Sequence, residues 1–426
     1  MSKERVPEGY KQTEVGVIPE HWDAKPLKDI FVLKHGFAFS SDYFSKSGPI
    51  LLTPGNFKLS GGLYFEERNT KHYCGQYSSD MIFEQGDLLI VMTDLTPDCN
   101  LLGKPAFVES KEVILHNQRI GKVVLKDEKV DPVFLFYLLL SRPYLDKIKE
   151  QATGSTVRHT SNKSIYGACL AWPKPNEQQA IASTLSDIDN LLASLDRLIA
   201  KKRDLKQATM QQLLTGKKRL PGFTDDWQTR SLGQLAHIQR GASPRPIDSP
   251  VWFDENSSIG WVRISDVTRS GMYLRETVQK LSPLGVQQSR PVAKGSLIMS
   301  ICATVGRPII TEIDVCIHDG FVVLSDLKVK QLFMYYLLKW IESDWSKHGQ
   351  TGSQMNLNTE LINTTEASVP SCETEQAAIA QVLTDMDTEL TTLQTRRAKT
   401  QALKQAMMQE LLTGKTRLLP PTAKND

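Results

Sequence analysis

The residues best suited to chemistry are His116, His159, His318, six cysteines and the triplet Thr215-Gly216-Lys217. Each histidine falls in a predicted loop, and no Ser, Cys or carboxylate stands at a spacing that assigns it a catalytic partner. They read as satisfied structural groups. Cys74, Cys99, Cys169, Cys302, Cys316 and Cys372 form no C-x-x-C pair and no His-rich zinc spacing, so they read as free thiols in a reducing cytoplasm. Thr215-Gly216-Lys217 resembles part of a phosphate loop, but it follows a predicted helix, whose C-terminal dipole repels anions. No G-x-x-x-x-G-K-[ST] run occurs. The Asn/Asp-Pro-Pro-aromatic loop and glycine-rich cofactor motif of adenine methylation are also missing. The chain therefore reads as non-catalytic, with no metal and no cofactor of its own.

Residues that bind without catalysing depend on the elements that position them. At 426 residues two or three domains are expected. The formal charge of +3 announces neither a polyanion binder nor an acidic partner. Lys3, Glu4, Arg5 and Glu8 interrupt any signal peptide, and no apolar run is long enough to cross a bilayer. A cytoplasmic protein with no membrane contact is expected. Phe134 to Leu140 and its counterpart Leu332 to Leu338 read as buried helices.

The organising feature is a repeat. Glu177-Gln178-Gln179-Ala180-Ile181-Ala182 returns as Glu375-Gln376-Ala377-Ala378-Ile379-Ala380, and Leu213-Leu214-Thr215-Gly216-Lys217 returns as Leu411-Leu412-Thr413-Gly414-Lys415. Residues 177 and 375, and residues 216 and 414, are each 198 apart, so nothing is inserted or lost between the landmarks. Each copy reads as a long helix N-capped by Asn176 or Thr374 and ended by Gly216 or Gly414. Each would span on the order of 55 Å. Ile181, Leu185, Ile188, Leu192, Leu195 and Ile199 follow a 4-3-4-3-4 spacing, a coiled-coil seam. Ile379, Leu383, Met386, Leu390 and Leu393 repeat it, until Arg396 and Arg397 weaken the stripe. Two matched helices most simply pack antiparallel on each other.

The segments before the helices match more loosely. Trp22 and Leu27 correspond to Trp227 and Leu232, Gly103-Lys104-Pro105 to Gly306-Arg307-Pro308, and Thr153-Gly154-Ser155 to Thr351-Gly352-Ser353. Short apolar runs bounded by Gly, Pro and Asp read as strands, so each segment is mixed α/β. The continuation missing after the second helix is found at the N-terminus, Gly16 to Trp22. The sequence thus reads as a circular arrangement cut open. The expected fold class is α+β: two α/β domains alternating with two long helices, pseudo-twofold and circularly closed. The expected boundaries are 1–175, with about 20 N-terminal residues closing onto the distal helix, then 176–216, 217–373 and 374–426.

Two differing α/β modules alternating with two near-identical helices resemble the specificity subunit of type I restriction-modification enzymes. The resemblance covers nearly the whole chain and rests first on the paired helices. Gln239-Arg240-Gly241-Ala242-Ser243-Pro244, Ile259 to Val267, Ala303 to Arg307, Lys34 to Phe39 and Gly55-Asn56 add to it. Ala242 replaces the usual second glycine of that turn. The resemblance implies that each module is a target recognition domain reading half of a bipartite, gapped site in double-stranded DNA. It implies that the helical spacers set the gap and dock two modification subunits. Those carry S-adenosylmethionine, while restriction subunits use ATP and Mg.

Base reading wants Arg, Asn, Gln and Ser/Thr on loops. The candidates are Asn56, Lys58, Thr93, Asp94, Asn117, Gln118, Arg119, Ser155, Arg158 and His159 in the first module. In the second they are Ser243, Arg245, Arg263, Ser265, Asp266, Thr304, Arg307, Ser353, Gln354 and Asn356. DNA-facing roles are then open to His116 and His318 as well. The alternative to DNA reading is a non-catalytic coiled-coil scaffold for another ligand.

Overall fold

The computed structural model describes residues 6–96, 98–348 and 357–419. The chain forms two compact units, Met1–Leu195 with Arg396–Asp426, and Asp196–Thr395. Each long helix is continuous across that division. The central helix runs Pro175–Leu213 and the distal helix Glu373–Leu411, 39 residues each.

In the first unit an antiparallel sheet has the order Phe31–His35, Ile120–Leu125, Leu88–Val91, Pro105–Phe107. Its strand Leu88–Val91 is buried on both faces, which explains an unbroken apolar run instead of an alternating one. Leu88 and Ile90 pack toward Phe134, Leu138 and the helices. Leu89 and Val91 pack toward Ile50, Leu52 and Phe57 beneath a smaller sheet. The second unit repeats this plan. His237–Arg240, Phe321–Ser325, Leu297–Ser300 and Pro308–Thr311 take the same order, with Tyr273–Leu274 added at the edge. Leu297 and Met299 face Phe333 and Tyr336, while Ile298 faces the other core. The apolar runs near residues 134 and 333 are helices, Pro132–Leu139 and Gln331–His348.

Both long helices begin two residues earlier than N-caps at Asn176 and Thr374 would place them. Pro175 is the first residue of the central helix, so Asn176 lies inside it and is not its N-cap. Proline suits that position because its φ is preset and its missing N–H would have no helical partner. The Asn176 side chain instead accepts from the Glu177 amide (2.9 Å). Likewise the distal helix starts at Glu373, which places Thr374 in its first turn. The far ends follow expectation: Gly216 and Gly414 have φ of +67° and +71°. A Cβ at Gly414 would collide with Pro19, and one at Gly216 would press on the Trp227 ring.

Along the seams Ile181, Leu185, Leu192, Leu195, Ile199, Ile379, Leu383 and Leu390 are buried, and Ile188, Met386 and Leu393 are half-buried. Arg396 is exposed. Further along each helix the stripe continues through a lysine. In the first unit Lys404 is 6% exposed and donates to both oxygens of Asp189 (2.6 and 2.7 Å), which also accepts from Tyr137 Oη (2.8 Å). In the second unit Lys206 bonds Asp387, which accepts from Tyr336 Oη (2.9 Å). Burial pushes both phenols up, so they remain protonated donors. These pairings run antiparallel within each unit, since Glu177 pairs with Arg417 while Asp189 pairs with Lys404.

A second tie lies at each helix start. Glu177 is buried and accepts from Trp22 Nε1 (2.9 Å) and from Arg417 through two parallel bonds of 3.0 Å. Glu375 does the same with Arg219 (2.6 and 2.7 Å) and Trp227 (3.4 Å). The glutamines that follow clamp the module: Gln178 bonds Pro173 and Asp131, and Gln376 bonds Pro370 and Lys330. Tyr10 Oη, on the N-terminal hairpin, donates to the Gly414 carbonyl (3.2 Å).

Removing one partner of a buried, bidentate pair leaves an uncompensated charge, at a cost on the order of 3 kcal/mol. Arg417→Ala should therefore lower the urea midpoint of the full chain sharply, and adding Glu177→Gln should recover part of the loss. An Arg417→Ala chain as stable as the parent would show the tie to be dispensable.

Candidate nucleic-acid interface

In each unit the central sheet delivers several loops to one edge. In the first, Phe31–His35 ends where Ile120–Leu125 begins and Leu88–Val91 ends. Phe37 N donates to His116 O (2.8 Å), Gln118 N to Phe37 O (2.9 Å) and Met92 N to Arg119 O (2.9 Å). The short strands Thr93–Asp94 and Arg158–His159 pair beside them. Asn117, Gln118, Arg119, Arg158 and His159 are thus gathered from two distant stretches of sequence. Gln118, Arg119, Ser155 and His159 are exposed; Asn117 and Arg158 are half-buried. Asn117 accepts from the Arg119 amide (3.1 Å), and Arg158 Nη1 donates to Gly154 O (2.7 Å).

The second unit builds the corresponding edge. Gly241 N donates to Phe321 O (2.9 Å), Ala242 N to Ile317 O (3.1 Å) and Ile301 N to Gly320 O (2.8 Å). Gly241 lies so close to the Ile317 and His318 carbonyls that a Cβ would collide with them, as would one at Gly36 against His116 and Asn117. Ser243 Oγ donates to Asp319 Oδ1 (2.7 Å), and Arg245 Nη2 pairs with Asp319 Oδ2 (3.3 Å). Arg240 Nε donates to the Asp319 carbonyl (2.7 Å), and Arg290 Nε to the Arg240 carbonyl (2.6 Å). Thr304 lies in the neighbouring turn, where its carbonyl accepts from Ser300 Oγ.

Several sequence candidates belong to the scaffold instead. Asn56 is fully buried; its Oδ1 accepts from Thr53 N and Oγ1 (2.9 Å each) and its Nδ2 donates to Asn69 O (3.0 Å). Asp94 is also fully buried, accepting from the amides of Thr96, Leu101 and Leu102. Thr93 is buried, with its hydroxyl against His159 Nδ1 (3.2 Å). Asp266 is buried as an acceptor for Arg263 N, Arg269 Nη2 and Val278 N. Arg307 turns to Glu342 (3.4 Å) on helix Gln331–His348. Arg263 is half-buried, bonded to Gln279 (2.7 Å) and lying over Trp261. Lys58 and Ser265 are exposed. Ser353, Gln354 and Asn356 lie outside the described residues.

Sequence reasoning missed Asp319, Arg240 and Arg290. A signal existed: His116-Asn117 and His318-Asp319 occupy equivalent turns, 202 residues apart. Burial works against ionising Asp319, but the Ser243 hydrogen bond and the charges of Arg245 and Arg240 outweigh it and hold the carboxyl below its ordinary range. Burial holds His116 and His318 below the usual imidazole range. His318 Nδ1 accepts from Gly320 N (2.9 Å), so this nitrogen carries no proton and its 3.6 Å approach to Asp319 is no ion pair at neutral pH. Among the described residues no cluster of three His, Cys, Asp or Glu is placed to hold a metal ion, and no helix is long and apolar enough to cross a membrane.

The family model described as "Type I restriction modification DNA specificity domain" matches residues 19–201 and again 224–404. The chain belongs to that family. DNA sequence recognition is accordingly its function. The specificity-domain chain is 25% identical over 435 residues to the putative type I restriction enzyme MjaX specificity subunit of Methanocaldococcus jannaschii, covering 96% of this chain and 97% of that one. It is 22% identical to the type I restriction enzyme EcoBI specificity subunit of Escherichia coli, over 86% and 79% of the two chains. The fold is similar to the type I restriction-modification S subunit from M. genitalium, with a TM-score of 0.57 at 15% identity, covering 92% and 96%. A chain from a structure on complex assembly of the type I R-M system gives 0.61 at 16%, covering 94% and 99%.

The neutral buried histidines set a pH dependence. Below the ordinary imidazole value of 6.5 the unfolded chain binds protons that the native imidazoles refuse. Stability rises with pH wherever the unfolded state holds more protons, so it should fall as pH drops below about 6.5. Urea midpoints measured from about pH 5 to 8 should show this loss, flattened in the His116→Gln, His318→Gln double variant. Equal slopes in parent and variant would assign the acid sensitivity to other groups.

Proposed function

We propose that this chain reads a bipartite, gapped duplex site, one half-site per module, as a non-catalytic subunit of a type I restriction-modification complex. In functional terms the modules are 1–175 and 217–373, and the spacers are 176–216 and 374–426. The spacers set the gap as an antiparallel coiled coil and dock two modification subunits, with the N-terminal hairpin closing the arrangement onto the distal helix. S-adenosylmethionine chemistry belongs to those partners, and ATP with Mg to restriction subunits.

One observation carries the reading. Two units whose central sheets share one order of four strands present loops of different chemistry at the same sheet edge, and each is tied to the helices by the same Trp–Glu–Arg and Tyr–Asp–Lys contacts. Constant supports with variable tips suit two different half-sites held at a set separation. Antiparallel ties within each unit, and Tyr10 on Gly414, support the closed spacer.

Mapping adenine methylation in cells with and without this chain, with the partner genes kept, tests the function. Loss of one bipartite motif with the chain is expected; an unchanged pattern with an active partner would overturn the proposal. The spacer role has its own test. Four residues inserted between Asp189 and Lys206, matched by four between Asp387 and Lys404, leave every described tie intact. The addition is about 6 Å of helix, so the gap should lengthen by at most about two base-pair steps. An unchanged gap would count against a rigid strut.

A further inference from the structure

We propose that Asp319 orients Arg245 to read a guanine in the half-site of the second module. This rests on the DNA-reading function above and names what one position of that site must contain. Arg245 is the candidate with a free hand: its side chain is 72% exposed, yet Nη2 is held by a carboxylate. The carboxylate is itself fixed. Its other oxygen accepts from Ser243, and its backbone sits in a tight turn where Phe321 N donates to His318 O (3.0 Å) and Arg240 holds the Asp319 carbonyl. A guanidinium carries five donors in a planar fork. Nη2 carries two hydrogens, so with one on Asp319 the other can still act with an Nε or Nη1 hydrogen as a parallel pair of donors. Guanine presents two acceptors, N7 and O6, at matching separation in the major groove.

A phosphate contact explains the pair less well. Phosphate binding depends on net positive charge, and a carboxylate beside the arginine subtracts from it and repels the backbone. What Asp319 supplies is orientation, which matters for a base edge and little for a phosphate. The first module differs at this place. Asn117 occupies the equivalent turn position and spends its side-chain oxygen on the Arg119 amide. The two modules therefore present different chemistry at one structural position.

The test uses the full chain assembled with its modification subunits and selects bound duplexes from a randomised pool. The parent should show a G·C pair in the second half-site. Arg245→Ala should relax that position alone, by roughly ten- to a hundredfold in base preference, while the other positions of the second half-site stay specified and so report intact folding of that module. Asp319→Asn should relax the same position partially, and Asp319→Glu should recover preference there. Loss spread evenly over all sequences would mark a phosphate contact and overturn the proposal, as would an unchanged motif or a second half-site without G·C. A parent complex that selects no motif would instead overturn the DNA-reading function beneath it.

Discussion

Two buried carboxylates hold this structure in order. Glu177 and Glu375 begin the two long helices, and neither is tolerable in an apolar environment unless fully paired. Each is satisfied by a tryptophan indole and an arginine fork, and in both cases the arginine follows the end of the other helix. A pairing error at either end would strand a charge, so the energetic preference is for one register. Hydrophobic seams alone specify register weakly, because one leucine layer resembles the next. The Asp189–Lys404 and Asp387–Lys206 contacts act the same way farther along.

This constraint explains which parts of the chain must repeat. Glutamate, glutamine, arginine, tryptophan and the capping glycine all recur because each is a partner in a contact made twice. The sheet edges obey no such rule. Their scaffold needs backbone bonds and a few buried acceptors, and the exposed residues between these are unconstrained by folding. Loops on a rigid scaffold can therefore diverge.

The helix repeat, its glycine ends, the paired Trp22 and Trp227 and the mixed character of the modules were legible in the sequence, because they depend on local periodicity or internal comparison. The lysine ties were not. Lys206 and Lys404 interrupt an apolar stripe, and their partners lie 181 and 215 residues away. The candidate site was only partly legible, for a chemical reason. Asn and Asp on loops are equally suited to reading a base and to capping a turn. Asn56, Asp94 and Asp266 have spent their acceptors on backbone amides or a neighbouring guanidinium, which only the folded chain reveals.

The same ambiguity hides Asp319 in the sequence. A lone Asp before glycine reads as a turn former, and it does form a turn. Its second role needs Ser243 and Arg245, 76 and 74 residues earlier, brought across a strand pairing that only the sheet supplies. A turn residue thus becomes an orienting group without any change in its local conformation. The scaffold fixes the Asp319 backbone, and the exposed arginine that it holds can be exchanged with little consequence for folding. Specificity and stability are separated at the level of single side chains, as a module whose target must change while its frame does not requires.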